Sequence, residues 1–184
     1  LGTVRFRRLE AHFGALDQAW KAGSDELHAA GMDSRTARSI VTQRPNIDPD
    51  AEMEKLERTE TLAINWHDPA YPPRLKEIYD PPPVLYVRGS LEEQDEWAIA
   101  DVGTRRPTAY GREMAEVLSE ALARNRITVV SGLARGIDSI AHKAALAVGG
   151  RTLSVQACGL DMVYPAEHRG LAQEIMEAGA LVSD

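Results

Sequence analysis

A single cysteine, Cys158, stands among 184 residues, so no disulfide can close within the chain and nothing in it calls for an oxidising compartment. No run of apolar residues approaches the eighteen needed for a membrane-spanning helix. The opening residues, Leu1-Gly2-Thr3-Val4-Arg5-Phe6-Arg7-Arg8, lack the apolar core of a secretory signal, and the missing initiator methionine points instead to a cropped N-terminus. These absences lead us to expect a cytoplasmic protein without membrane association. Positive charge is scarce as well: 21 Lys and Arg face 28 Asp and Glu, a formal net charge of −7. That balance argues against a protein that coats nucleic acid through bulk charge, since such domains usually carry a basic excess.

The 43% hydrophobic content is ordinary for a globular protein, and the length suits one large domain or two smaller ones. Charge is unevenly spread. Residues 103–151 hold eight Lys and Arg against four Asp and Glu, whereas Glu92, Glu93, Asp95 and Glu96 form an acidic knot just before them. A local cationic site stays open.

Along residues 1–60 the apolar positions recur at helical spacing. Phe6, Leu9, Phe13, Leu16 and Trp20 line one face of a helical pair broken at Gly14, and Leu27, Met32, Ala37, Ile40 and Val41 continue the stripe. Asp33 or Ser34 is placed to cap a helix, and Pro45 to Pro49 ends the bundle because proline cannot continue a helix. Residues 50–58 read as a connecting helix. From Thr61 the period becomes strand-like, with strands expected at Leu62–Trp66, Val84–Val87, Trp97–Val102, Ile127–Val130, Thr152–Ala157 and Ala180–Val182. Amphipathic helices are expected at Ala109–Arg124, Asp138–Val148 and Glu167–Glu177. Strands alternating with helices imply a parallel sheet with helices on both faces. The expected organisation is therefore a small all-helical module over 1–60 and an α/β domain over 61–184.

Ligands of such sheets bind at the carboxyl ends of strands, where loops enter helix N-termini rich in unpaired N–H groups. Three loops occupy that position: Gly103 to Thr108, Ser131 to Asp138 and Cys158 to Pro165. None has the spacing of a dinucleotide fingerprint or a P-loop. Arg105 and Arg135, in adjacent loops, would project into one crevice and can grip phosphate bidentately. The competing reading leaves both solvated or pairs them with nearby carboxylates such as the 92–96 knot. Ser131, Asp138 and His142 lie close in sequence, but Ser131 is in no nucleophile elbow and no third metal ligand stands near Asp138 and His142. We read Asp138 as a first-turn acid favoured by the helix dipole with His142 as its i+4 neighbour, and expect no catalytic residue, metal or cofactor. Trp20, Trp66 and Trp97 read as packing aromatics, and Tyr110 and Tyr164 could stack on bases.

Taken in order, Tyr71-Pro72-Pro73-Arg74-Leu75, Pro82 to Gly89, Val102-Gly103-Thr104-Arg105-Arg106-Pro107-Thr108-Ala109-Tyr110-Gly111, Ser131-Gly132-Leu133-Ala134-Arg135-Gly136-Ile137-Asp138 with Ala141-His142, and Gly159-Leu160-Asp161 with Tyr164-Pro165 resemble the DprA/Smf family over residues 71–184. Residues 1–60 resemble, more weakly, the sterile-alpha-motif-like domain that precedes the core in many members. The resemblance implies an extended Rossmann-like domain without catalytic turnover. It also implies binding of single-stranded DNA, commonly as a homodimer, the protection of DNA taken up in natural transformation, and the loading of a RecA-type recombinase on it. Its DNA-binding pocket would draw on Gly103, Thr104, Arg105, Arg106, Ser131, Gly132, Arg135 and Gly136, with Arg105 and Arg135 matching basic positions.

Two departures stand out. Asp101 takes a position that is usually apolar in the family, so its carboxylate needs a partner or faces the crevice. The chain also stops at Leu181-Val182-Ser183-Asp184, ahead of the family's Arg-Asn-Arg motif and last strands, so part of the pocket and the usual dimer surface are expected to lie outside this sequence. The main alternative is a nucleotide-processing hydrolase of the lysine-decarboxylase-like phosphoribohydrolase type, whose Pro-Gly-Gly-x-Gly-Thr motif is missing here. The other is a non-catalytic partner-binding module.

Overall fold

The apolar stripe of the first residues folds as short helices that end where the sequence supplies helix breakers, in a computed structural model that describes residues 2–184. Leu1, the first residue of the segment read as lacking a signal core, lies outside them. Helix α1 (Thr3–Phe13) ends at Gly14, whose φ of 75° is left-handed and lets its amide reach the Glu10 carbonyl. Helices α2 (Leu16–Lys21), α3 (Ser24–Ala29) and α4 (Ser34–Gln43) follow, the last capped by Asp33, which accepts from the Thr36 amide at 2.9 Å. Helix α5 (Pro49–Arg58) begins with proline behind its cap Asp48. Leu9, Ala19, Leu27, Met32 and Ala37 form the core of this segment. The turn at Gly14 rotates α2 so that Ala19 faces that core, and Leu16 and Trp20, expected in the stripe, sit at its exposed rim.

Beyond residue 60 come β1 (Leu62–Asn65), α6 (Pro73–Lys76), β2 (Val84–Gly89), β3 (Ala98–Ala100), α7 (Ala109–Arg124), β4 (Thr128–Ser131), α8 (Ile137–Ala147), β5 (Thr152–Val155), α9 (Arg169–Ala178) and β6 (Ala180–Ser183). The six strands form one mixed, mostly parallel sheet in the order β1-β2-β6-β5-β4-β3. Strands β3 to β6 are parallel because α7, α8 and α9 return the chain between them, whereas β1 and β2 pair antiparallel, as do β2 and β6.

Each crossover steps the same way across the sheet, and connections of one hand then place their helices on one face. Val129 of β4 packs on Leu122, Ala141 and Ala145 of α7 and α8, and Leu181 of β6 packs on Leu171 and Ile175 of α9. The opposite face is covered more sparsely than expected. There Leu85, Val87, Leu153 and Ala180 meet Tyr71, Trp66 and Leu75, which come from the four-residue α6 and its flanking segment.

Trp97 departs from the packing role: it is 68% exposed, with the Arg74 guanidinium 5.8 Å from its ring centre. Trp66 joins the helical segment to the sheet, donating from Nε1 to Glu10 at 3.1 Å beneath the Arg7 guanidinium.

Candidate nucleic-acid interface

Beyond the ends of β4 and β5 lies a cavity of about 320 Å³ against the first turn of α8. A larger hollow of about 660 Å³ between α1, α2 and α4 is lined by Phe6, Leu16, Trp20 and Ile40 and receives none of the glycine loops. The smaller cavity is the one the loop chemistry serves.

Two glycines lock the loops together. Gly136 has a φ of +87°, and a Cβ there would fall 2.2 Å from the Thr104 carbonyl oxygen, while one at Gly103 would fall 2.7 Å from Ile137 Cγ1. The contact is closed by the Ile137 amide, which donates to the Thr104 carbonyl at 3.2 Å. Loops from separate strands are thereby pressed edge to edge, and Arg105 and Arg135 both line the cavity. Of the other expected residues, Gly132 lines it too; Gly103, Thr104 and Gly136 build the loop contact. Ser131 is buried and donates to the Asp101 carbonyl at 2.6 Å, and Arg106 is exposed outside the lining. The Asp101 carboxylate has the partner it needs, accepting from Ser119 Oγ of α7 at 2.8 Å.

The arginines differ in their surroundings. Arg135 is bound side-on by Glu167, at 2.7 Å from Nε and 2.6 Å from Nη2. Those hydrogen bonds hold the Glu167 carboxyl below its ordinary range and raise the Arg135 guanidinium further. Arg105 has no ion pair among the described residues. Neither arginine meets the acidic knot, whose Asp95 and Glu92 clamp Arg151, but the competing reading holds in another form: Arg135 is paired with a carboxylate, Glu167, and Arg105 is exposed. Tyr164 stands at the cavity rim, whereas Tyr110 is exposed away from it.

Ser131, Asp138 and His142 do not form a catalytic array. His142 is fully buried; burial pushes its ring down to about 4, so at neutral pH its Nε2–H donates to the Gly132 carbonyl, and its Nδ1 lies 2.6 Å from Thr152 Oγ1, whose hydroxyl is shared with the Val129 carbonyl at 2.7 Å. With the Ser131 hydroxyl committed to a carbonyl, no side chain is positioned to activate it. Among the described residues no group of three or more His, Cys, Asp or Glu is placed to hold a metal ion, and no helix is long and apolar enough to cross a membrane. Sequence reasoning missed Glu167 and Gln156, because their nearness to the loops arises only when β5 and α9 fold back on β4.

A family model described as DNA recombination-mediator protein A matches residues 62–184. The chain belongs to that family. Protein Smf of Synechocystis sp. is 38% identical over 189 residues, which take in 100% of this chain and 48% of that protein. DNA processing protein DprA of Bacillus subtilis is 41% identical over 115 residues, 62% of this chain and 39% of its own. The chain thus spans about half the length, or less, of the curated relatives it matches. The X-ray structure of DNA processing protein A from Streptococcus pneumoniae superposes with a TM-score of 0.79 at 30% identity, covering 97% of this chain and 61% of that one. A Helicobacter pylori DNA processing protein A, described for its unique single-stranded DNA binding mode, superposes with a TM-score of 0.59 at 33% identity over 67% of this chain and 55% of its own.

Proposed function

We propose that the chain binds single-stranded DNA, with successive phosphates on Arg105 and Arg135 at the carboxyl ends of the strands. The observation that carries this reading is the convergence of two arginines, from two glycine-locked loops, on one cavity beside the N-terminus of α8. An acidic protein that holds a polyanion must concentrate its cations in this way. In the same reading residues 1–60 form a helical module and 61–184 the DNA-binding domain. The whole protein is a cytoplasmic recombination mediator without catalytic turnover or cofactor, acts as a homodimer, and loads a RecA-type recombinase on strands taken up in natural transformation. Membership of the recombination-mediator family and the single-stranded DNA binding mode of the Helicobacter pylori protein support the DNA-binding part. The structural hydrogen bonds of Ser131 and His142 support the non-catalytic part.

The test is a salt-dependent titration with oligothymidylate and a mixed-sequence strand. Each phosphate contact on a single strand contributes roughly −0.7 to the slope of log affinity against log salt, so Arg105→Ala and Arg135→Ala should each flatten it by roughly that amount. The loss should be equal for both sequences, because phosphate contacts position a strand without reading it. Wild-type affinity and slope in both folded variants would rule the cavity out as the DNA site.

Glu167 competes with phosphate for Arg135 in this reading. Glu167→Gln should therefore tighten binding several-fold and steepen the salt slope by roughly 0.7. Because the Glu167 carboxyl is held low, its ion pair persists at neutral pH and is lost only as pH falls through its depressed range. Wild-type affinity should rise there and that of Glu167→Gln should not; parallel pH profiles would show that Glu167 is no competitor.

A further inference from the structure

Helix α5 packs on the rest of the chain less than a helix of its length needs. None of its ten residues is buried, although a helix this short is marginal in water unless an apolar face packs. Ala51 and Leu56 are half-buried, and the face turned away from them is bare. Asp50, Met53, Glu54 and Glu57 share that bare face, at the three- and four-residue spacings of a helical stripe. Met53, 52% exposed, stands in its middle. Glu52 is paired with Lys55, but Asp50, Glu54 and Glu57 have no ion pair among the described residues.

The hollow between α1, α2 and α4 has the complementary chemistry. Its lining includes the buried Leu9 and Leu27, the half-buried Phe6 and Ile40, and Leu16 and Trp20, each 38% exposed. Asp33, the one carboxylate in that lining, is already paired with Arg5 at 3.2 Å. Arg44 spends Nη1 on the Trp20 and Ala22 carbonyls and keeps its charge in the hollow. Arg35, and Arg38 beyond it on the exposed face of α4, have no ion pair among the described residues. One chain thus carries an apolar hollow with unmatched arginines and a bare helix with unmatched carboxylates, and no residue of that helix lines that hollow.

We propose that a second copy of this chain docks here, its α5 lying in the hollow. Met53 enters between Leu16, Trp20 and Ile40, where a flexible thioether fits an irregular apolar space and meets an aromatic ring. Asp50, Glu54 and Glu57 then face Arg35, Arg38 and Arg44, so charge sets the orientation of a contact whose centre is apolar. Hollow and helix adjoin, since Ile47 lines the one and only Asp48 separates it from the start of the other. Two chains related by a two-fold axis can therefore each place α5 in the hollow of the other, a reciprocal contact that closes at a dimer. The pairing does not depend on strand binding. It uses the helical segment alone, not the dimer surface expected beyond Asp184.

The experiment is sedimentation velocity over a concentration series of the chain. The wild type should form a reversible dimer that weakens roughly tenfold between roughly 0.05 M and 0.5 M salt, as exposed charges are screened. Glu54→Arg with Glu57→Arg, and separately Arg35→Glu with Arg38→Glu, should each weaken it at least tenfold, because like charges then face one another. Mixing the two variants should restore a heterodimer to within about threefold of wild type, since reversed helix meets reversed hollow and native helix meets native hollow. All four positions are exposed, and melting curves check that each variant folds. Met53→Asp, a single change at an exposed position, should weaken the dimer as well without the charge reversals. A wild type still monomeric at about 1 mM, a dimer that tolerates either reversal, or a mixture of the variants that stays monomeric overturns the pairing.

Discussion

Replacing Arg151 with Met is expected to destabilise the fold by about 3–5 kcal/mol, the usual consequence of removing one partner of a buried ion pair. Arg151, at the start of the β5 hydrogen-bonding register, has its side chain 9% exposed and meets Asp95 side-on at 2.7 and 2.8 Å. It also reaches Glu92 at 3.0 Å, the Ala178 carbonyl at 3.3 Å and the Ser90 carbonyl. One guanidinium thus ties the segment between β2 and β3 to β5 and to the end of α9. Without it, Asp95 keeps the Thr128 hydroxyl and the Glu92 amide, but its charge stays buried and unmatched. Asp95→Asn combined with Arg151→Met should lose less than the two single losses added together, because the second change removes a charge that the first had stranded. Urea unfolding of the four proteins checks this, and a loss under about 1 kcal/mol for Arg151→Met would show the pair to be as weak as a surface one.

Acidification should weaken the protein by about 3 kcal/mol between pH 6.5 and pH 4, through His142 alone. Burial is the main cause that lowers its ring from 6.5 to about 4; the Gly132 carbonyl and the Asp138 carboxylate oppose the shift, and His168 adds to it. In that window the unfolded chain binds a proton that the native ring refuses, so stability falls as pH falls and the penalty is complete below about 4. Asp33, held at about 2 chiefly by the Thr36 amide, acts in the same direction only below its ordinary value of 3.8, so the two can be told apart. His142→Asn should be less stable at pH 7, where the Gly132 carbonyl and Thr152 lose their partner, yet nearly flat between pH 6.5 and 4. Unfolding free energies of both proteins across that range test the idea. Parallel curves would mean that His142 does not titrate there.

Elements set by neighbours a few residues away were readable in advance. The turn at Gly14 and the Asp33 cap lie where the side chains demand them, and α7 runs over Ala109–Arg124 as expected, but Met114, Val117 and Leu118 of its apolar stripe stay exposed while Ala115, Ser119, Leu122 and Ala123 are buried. The strands before the loops proved shorter than expected: the Trp97–Val102 run narrows to Ala98–Ala100, and Thr152–Ala157 to Thr152–Val155. β-propensity does not stop where pairing stops, and pairing ends when the partner strand turns away. The crevice at the strand ends followed from the alternation of strand, glycine loop and helix, a local pattern with a general geometric consequence.

Pairings between distant residues were not readable. Arg151 finds Asp95 across 56 positions and Arg135 finds Glu167 across 32, whereas sequence placed the acidic knot beside Arg105 and Arg135 only by proximity along the chain. The antiparallel outer strands, the crowding of α7 to α9 on one face and the unpartnered Gln156 amide nitrogen have the same origin. Helical period, capping and turn chemistry act over a few residues, so the sequence by itself determined the order of helices and strands and where the glycine loops leave the sheet. Ion pairs and the depth of a cavity depend on where crossovers return the chain, and that was decided only when the sheet closed its register.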